Sequence, residues 1–222
     1  FKQETLPNLA KDCTCLLHRA CRLSISCYNQ LTMKRLTNAQ ILKRARSREG
    51  LLHTRVIDSA TVVTAEWVRY KCQFGCGGYG QRLTCPPYSP TPAQTRKILD
   101  GYSRALLLHS AGAGADVSQI AVELEREIFL AGRWKALAMG CGPCRHCQTC
   151  VVTPSQGKGR RGRKAPPADP QTPPCLHPEL ARPSLEACGI DVFSTARRHR
   201  LPIQVVTDYD KPTNFYALVL ID

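Results

Sequence analysis

The chain has 222 residues, 31 Lys plus Arg against 17 Asp plus Glu, a formal charge of +14, and 13 cysteines. That length buries a core without disulfide staples, and 43% hydrophobic residues exclude a wholly disordered or fibrous chain. No run approaches the roughly 18 apolar residues of a membrane span, which excludes a membrane protein.

The charge invites a nucleic-acid reading, so its placement matters. Residues 1–55 hold 11 basic and 3 acidic side chains, residues 156–164 (QGKGRRGRK) add five basic ones, and the remainder is nearly balanced. A folded reader of nucleic acid carries its positive face on the ordered elements that enter a groove. Here the charge is expected in a tail and a loop, which argues against nucleic acid as partner. An odd cysteine count, clustered at two-residue intervals with no export signal ahead of it, fits a reducing compartment and metal ligation better than a secreted disulfide framework. A cytoplasmic location is expected.

In chain order, residues 1–32 precede Met33 and the helix-like MKRLTNAQILKRA. They are expected to be an N-terminal extension outside the fold, with 33–222 a single cysteine-rich domain. The spacing of Ala39, Ile41, Leu42 and Ala45 predicts a helix from Thr37, capped by Asn38, that ends near Gly50. Residues 60–68 (ATVVTAEWV) predict a strand leading into the first cysteine group. Residues 91–102 predict a helix with Pro92 in its first turn, 104–109 (RALLLH) a buried strand, 116–131 a helix, and 134–139 (WKALAM) a strand that delivers Cys141. The Pro-, Gly-, Lys- and Arg-rich stretch 152–174 is expected to be a disordered basic insertion. Residues 180–200 predict one or two helices, with Pro183 at a turn and Gly189 as a break. Residues 203–207 and 215–221 predict two closing strands around DYDKPTN. The sum is an α+β (mixed α/β) domain: a small sheet of about four strands, three or four helices, and cysteine-rich loops.

The strongest chemical signal is Cys141-Gly-Pro-Cys144-Arg-His-Cys147-Gln-Thr-Cys150, with Cys175 beyond the insertion. A cubane iron–sulfur cluster takes four thiolates, and a C-x2-C-x2-C loop reaches three corners of one cube while a distant cysteine closes it. Cys144, Cys147 and Cys150 fit that loop, with Cys175 the natural fourth. Structural zinc pairs two C-x2-C knuckles and has no need of a triple. Cys141 is either a substitute ligand or a bystander thiol, and spacing does not choose. The run ends C-x2-C-V, unlike the C-x3-C-P of bacterial ferredoxins.

A second group, Cys72-x3-Cys76-x8-Cys85-Pro, is threaded by Gly75, Gly77, Gly78 and Gly80, which let backbone amides approach a sulfur closely. Its fourth member is assigned to Cys188, the other unassigned core cysteine besides Cys141. The bland alternative is a glycine-rich turn with buried reduced thiols. A phosphate loop is disfavoured, since there is neither GK[ST] nor a G-x-G-x-x-G opening a helix. His146 and His177 are further candidate ligands, although a solvated histidine is commoner. Tyr79, Arg82 and Tyr88 are candidates for a substrate pocket, and packing explains each equally well. Arg182 and Glu186, four apart, read as a helix surface pair.

The phrases KCQFGCGGYGQRLTCPPYSPTPAQTRKIL, GPCRHCQTC and CLHPELARPSLEACGIDVF, closing with YALVLID, resemble a prokaryotic family of predicted metal-binding proteins, a domain of unknown function. The resemblance spans about residues 51–222. It implies Cys72, Cys76, Cys85, Cys144, Cys147, Cys150, Cys175 and Cys188 as ligands. Members often carry a small residue at position 141, which implies that Cys141 is a bystander, and the basic insertion is a departure from the family pattern. Three functions follow as expectations. The first is an iron–sulfur protein with one or two [4Fe–4S] clusters that passes electrons to a redox partner protein or assists a redox enzyme. The second is a zinc-stabilised interaction module. The third is an enzyme with an open iron site near Cys141 or Tyr79.

Overall fold

The computed structural model describes residues 35–111, 114–153, 174–208 and 213–222. The expectations for residues 1–32 and for nearly all of the basic insertion lie outside these.

Four strands form one antiparallel sheet in the order β1-β2-β4-β3: β1 His53–Asp58, β2 Arg104–Ala111, β3 Leu137–Met139 and β4 Asn214–Leu220. Five helices accompany it among the described residues: α1 Asn38–Arg46, α2 Glu66–Gly75, α3 Pro92–Asp100, α4 Gly114–Leu130 and α5 Val192–Arg198. The fold is α+β, as the sequence predicts.

The central strands are buried nearly end to end, because both sheet faces are covered. On one face Leu106, Leu108, Ala217 and Val219 meet Ile41 and Ala45 of α1 and the stripe Val117, Ala121, Leu124 and Ile128 of α4. On the other, Leu107, Leu218 and Leu220 share a core with Leu99 of α3, Ile190 and Ala196. Thr37, not Asn38, caps α1: its hydroxyl accepts from the Gln40 amide while the Gln40 side chain accepts from the Thr37 amide. Arg44 and Arg48 pair with Glu123 and Glu127 of α4, so part of the basic charge of residues 1–55 is matched by acid across the surface of two packed helices.

Two strand predictions need correction. Residues 60–68 are not a strand. Asp58 caps a 3-10 turn at Ser59–Thr61, a short extended piece follows whose Thr64 bridges Ile190, and Glu66 opens α2. The strand that precedes α2 is β1. Residues 203–207 run apolar yet pair with no strand; Ile203, Val205 and Val206 instead line a cavity. Gly189 does break the 180–200 stretch. It ends a 3-10 turn at Glu186–Cys188 with φ +75°, and a Cβ there would stand 2.3 Å from Pro92 Cγ, so only glycine lets α3 approach this turn.

Across β1, β2 and β4, His53, His109 and Tyr216 form a row of facing rings, with centroids 5.1 and 4.8 Å apart. His109 Nε2 lies 2.8 Å from Asn214 Oδ1 and donates to it, which leaves Nδ1 to accept from His53 Nδ1 at 2.9 Å. Burial lowers the His109 pKa. The folded protein therefore holds this ring neutral while the unfolded chain takes up a proton below about pH 6.5, so its stabilising effect is complete above that pH and lost as the pH falls beneath it. Denaturant unfolding at pH 7.5 and 5.5 is expected to show a smaller acid loss for His109→Gln than for the parent. Equal losses would remove His109 as the cause.

Candidate metal centre

Cysteine-bearing loops gather at the end of β3. Past Met139 the chain bridges to residue 184: the Gly140 amide donates to the Pro183 carbonyl (2.8 Å), and the Leu185 amide donates to the Gly140 carbonyl (3.0 Å). A Cβ on Gly140 would lie 2.8 Å from Ser118 Oγ, so glycine here lets α4 reach the strand end. Ser118 Oγ accepts from the Cys141 amide at 2.8 Å and donates to the Cys141 carbonyl at 3.1 Å. Cys141 thus starts its loop from a rigid base.

The thiols of Cys144, Cys147, Cys150 and Cys175 line one cavity, together with Arg82, Thr84, His146 and His177. The Cys147 pKa is raised first by desolvation and then by the Cys150, Cys144 and Cys175 sulfurs, while Arg82 pulls it down. Arg82 also donates to the Cys147 carbonyl at 2.8 Å. The His177 amide points at Cys175 Sγ, 3.4 Å away. The Thr84 hydroxyl, buried beside the same cavity, faces the neighbouring Cys85 thiol and lowers its pKa by hydrogen bonding. Four thiols with an amide already aimed at one sulfur suit a sulfur-rich group, because donors to its sulfurs are what tune such a centre.

Cys72, Cys76 and Cys85 line a separate chamber of about 670 Å³. Burial, then the Cys76 sulfur, pushes Cys85 up to about 11, and burial followed by Cys76 and Glu186 raises Cys72. The Gly78 amide donates to Cys76 Sγ at 3.4 Å, so the glycine-rich turn does aim an amide at a sulfur. Cys141 and Glu186 share this chamber. Cys188 does not line it. It is 0% exposed, in the core with Leu99, Leu185 and Ile190, its pKa pushed up to about 12 chiefly by burial, and its carbonyl accepts from Thr95. Cys141 is raised to about 12 by burial and then by Glu186, opposed by a hydrogen bond from the Tyr216 backbone. Any metal entering here must displace these protons, so uptake strengthens as pH rises.

The two groups are stitched together. Besides Arg82, the Thr153 hydroxyl accepts from the Cys150 amide (3.1 Å) and donates to the Gln81 carbonyl (2.9 Å). Arg69, on the same helix as Cys72, donates to the carbonyls of Ser89, Pro90 and Ala187 at 2.8–3.2 Å, tying α2 to the segments carrying Cys85 and Cys188. Among the described residues no three His, Cys, Asp or Glu side chains converge on an ion-sized point. Four thiolates on one tetrahedral zinc stand about 3.8 Å apart, given Zn–S bonds of about 2.3 Å. A cluster with an iron at each of four corners spreads its thiolates more widely.

Sequence reasoning did not single out Ser118, Glu125 or Arg69, and paired Arg182 with Glu186. Arg182 instead grips Glu125 of α4 through two hydrogen bonds, Nε to Oε2 at 2.7 Å and Nη2 to Oε1 at 2.9 Å. The one local signal was a carboxylate next to the apolar stripe of α4. Tyr79 lines the chamber; Tyr88 lines neither cysteine cavity.

No helix among the described residues is long and apolar enough to cross a membrane. No curated protein and no solved structure matches the chain. Residues 55–221 match the family described as predicted metal-binding protein, DUF2284, a span that holds both cysteine groups. The chain belongs to this family of predicted metal-binding proteins.

Proposed function

We propose that the protein is a cytoplasmic iron–sulfur protein that holds a [4Fe–4S] cluster on Cys144, Cys147, Cys150 and Cys175 and exchanges electrons with a redox partner protein. The observation that carries this reading is the sharing of one cavity by three thiols at two-residue spacing and a fourth 25 residues further on. The cavity offers four thiols and two imidazoles and no carboxylate, a set that selects iron–sulfur or zinc over hard cations. Three thiols at two-residue spacing with a distant fourth favour the polynuclear group. When bound, such a cluster supplies a one-electron couple. This chain's part is to hold it, exclude water and aim donors at its sulfurs: Thr84, the His177 amide and the Arg82 guanidinium lie on or beside the cavity wall.

Protein purified without oxygen is expected to be brown and to contain about eight irons with matching sulfide if both cysteine groups are loaded, and about four if only this one is. Stoichiometric zinc in a colourless protein would overturn the reading and leave a structural module.

A further inference from the structure

The Cys72, Cys76 and Cys85 group offers three thiolates, and a cubane takes four. We propose that Cys141, rather than Cys188, is the fourth ligand, so that a second cluster sits on the chamber wall beside the first. This rests on the iron–sulfur reading above.

Three observations converge. Cys141 stands between the groups, lining the chamber of Cys72, Cys76 and Cys85 and also a cavity it shares with Cys144 and His146, whereas Cys188 lies in the core under the sheet. Cys141 is also pre-positioned: Ser118 grips its amide and carbonyl, and the Tyr216 backbone hydrogen-bonds its sulfur, as the Gly78 amide does for Cys76. A ligand held in place before metal arrives loses little freedom on binding. Finally, the loops of the two groups are tied by Arg82 to Cys147 and by Thr153 to Gln81. In two-cluster ferredoxins one cysteine of a four-cysteine run ligates the neighbouring cluster rather than its own. Here the first of the run would do so, which gives the run Cys141-x2-Cys144-x2-Cys147-x2-Cys150 a use for all four members. In each exchange an S–H bond breaks and an Fe–S bond forms: the thiol proton passes to the terminal ligand that leaves the iron of the incoming cluster, or to solvent, and no oxidation state changes.

The test compares Cys141→Ser with Cys188→Ala and with Cys188→Val, which keeps the core filled if the alanine variant fails to fold. Iron and sulfide are measured on anaerobically purified protein, with the electron paramagnetic resonance of the reduced state. Cys141→Ser is expected to fall from about eight irons to about four and to lose one of two signals, while the folded Cys188 variant keeps both. Cys141→Ser retaining the full complement, or Cys188→Val falling to half, overturns the assignment. So does a parent protein with about four irons that Cys147→Ser abolishes. Iron absent from the parent altogether would instead remove the iron–sulfur reading itself.

Discussion

Cys147→Ser is expected to lose about four of roughly eight irons and one of two reduced-state signals, with the remaining cluster undisturbed. Cys147 is the middle thiol of the run, and the sulfurs of Cys150, Cys144 and Cys175 all act on it. Serine offers a harder oxygen at the same place, a poor exchange for a site whose other donors are soft thiolates. The fold should survive, because the side chain belongs to neither core cluster. Far-ultraviolet circular dichroism matching the parent, together with halved iron, would establish the loss as local. Full iron retention would remove Cys147 from the ligand set.

The second large effect is structural. Glu125 and Arg182 keep only 12% and 21% of their side-chain surfaces exposed, and Glu125 Oε2 also accepts from the Ala138 amide of β3 at 2.9 Å. Arg182→Met would strand this carboxylate between α4 and β3, and breaking such a pair from one side costs about 3–5 kcal/mol. The segment held by Arg182 also carries Cys175, so iron at the first centre should fall with stability. In the double variant Glu125→Met with Arg182→Met no charge is stranded, and most of the stability is expected to return. Chemical denaturation checks both. A single variant within about 0.5 kcal/mol of the parent would show that the pair contributes little.

What the sequence revealed of the fold tracks how local each cause is. RALLLH and FYALVLI are apolar because both sheet faces are covered, and α3 carries its Thr91 cap and Pro92 start within four residues. β1 escaped notice because it is an edge strand: HTRVID places His53, Arg55 and Asp58 in the open, leaving only Thr54 and Ile57 buried. The TVVT run in residues 60–68 mimics a strand, yet it is spent on the end of a turn and a single bridge at Thr64. For the site, two-residue spacing alone marks out the Cys144 group, since one loop makes most of it. The fourth member of the other group depends on where β3 meets residues 183–185, a contact between segments more than 40 residues apart, and nothing near Cys141 or Cys188 in the chain encodes it.

Only Gly142 and Pro143 separate Cys141 on the chamber wall from Cys144 on the other cavity. Three residue steps span at most about 11 Å, so clusters held by these two cysteines would lie on the order of 10 Å apart. At that separation, with an effective dielectric constant near 20, one added electron raises the energy of the next by about 1.7 kcal/mol, or roughly 70 mV. Two otherwise equal centres would therefore titrate as two resolved one-electron waves. With both proposed clusters bound, the Gly-Pro bridge would make the molecule a stepwise carrier, able to receive electrons singly and hold a pair.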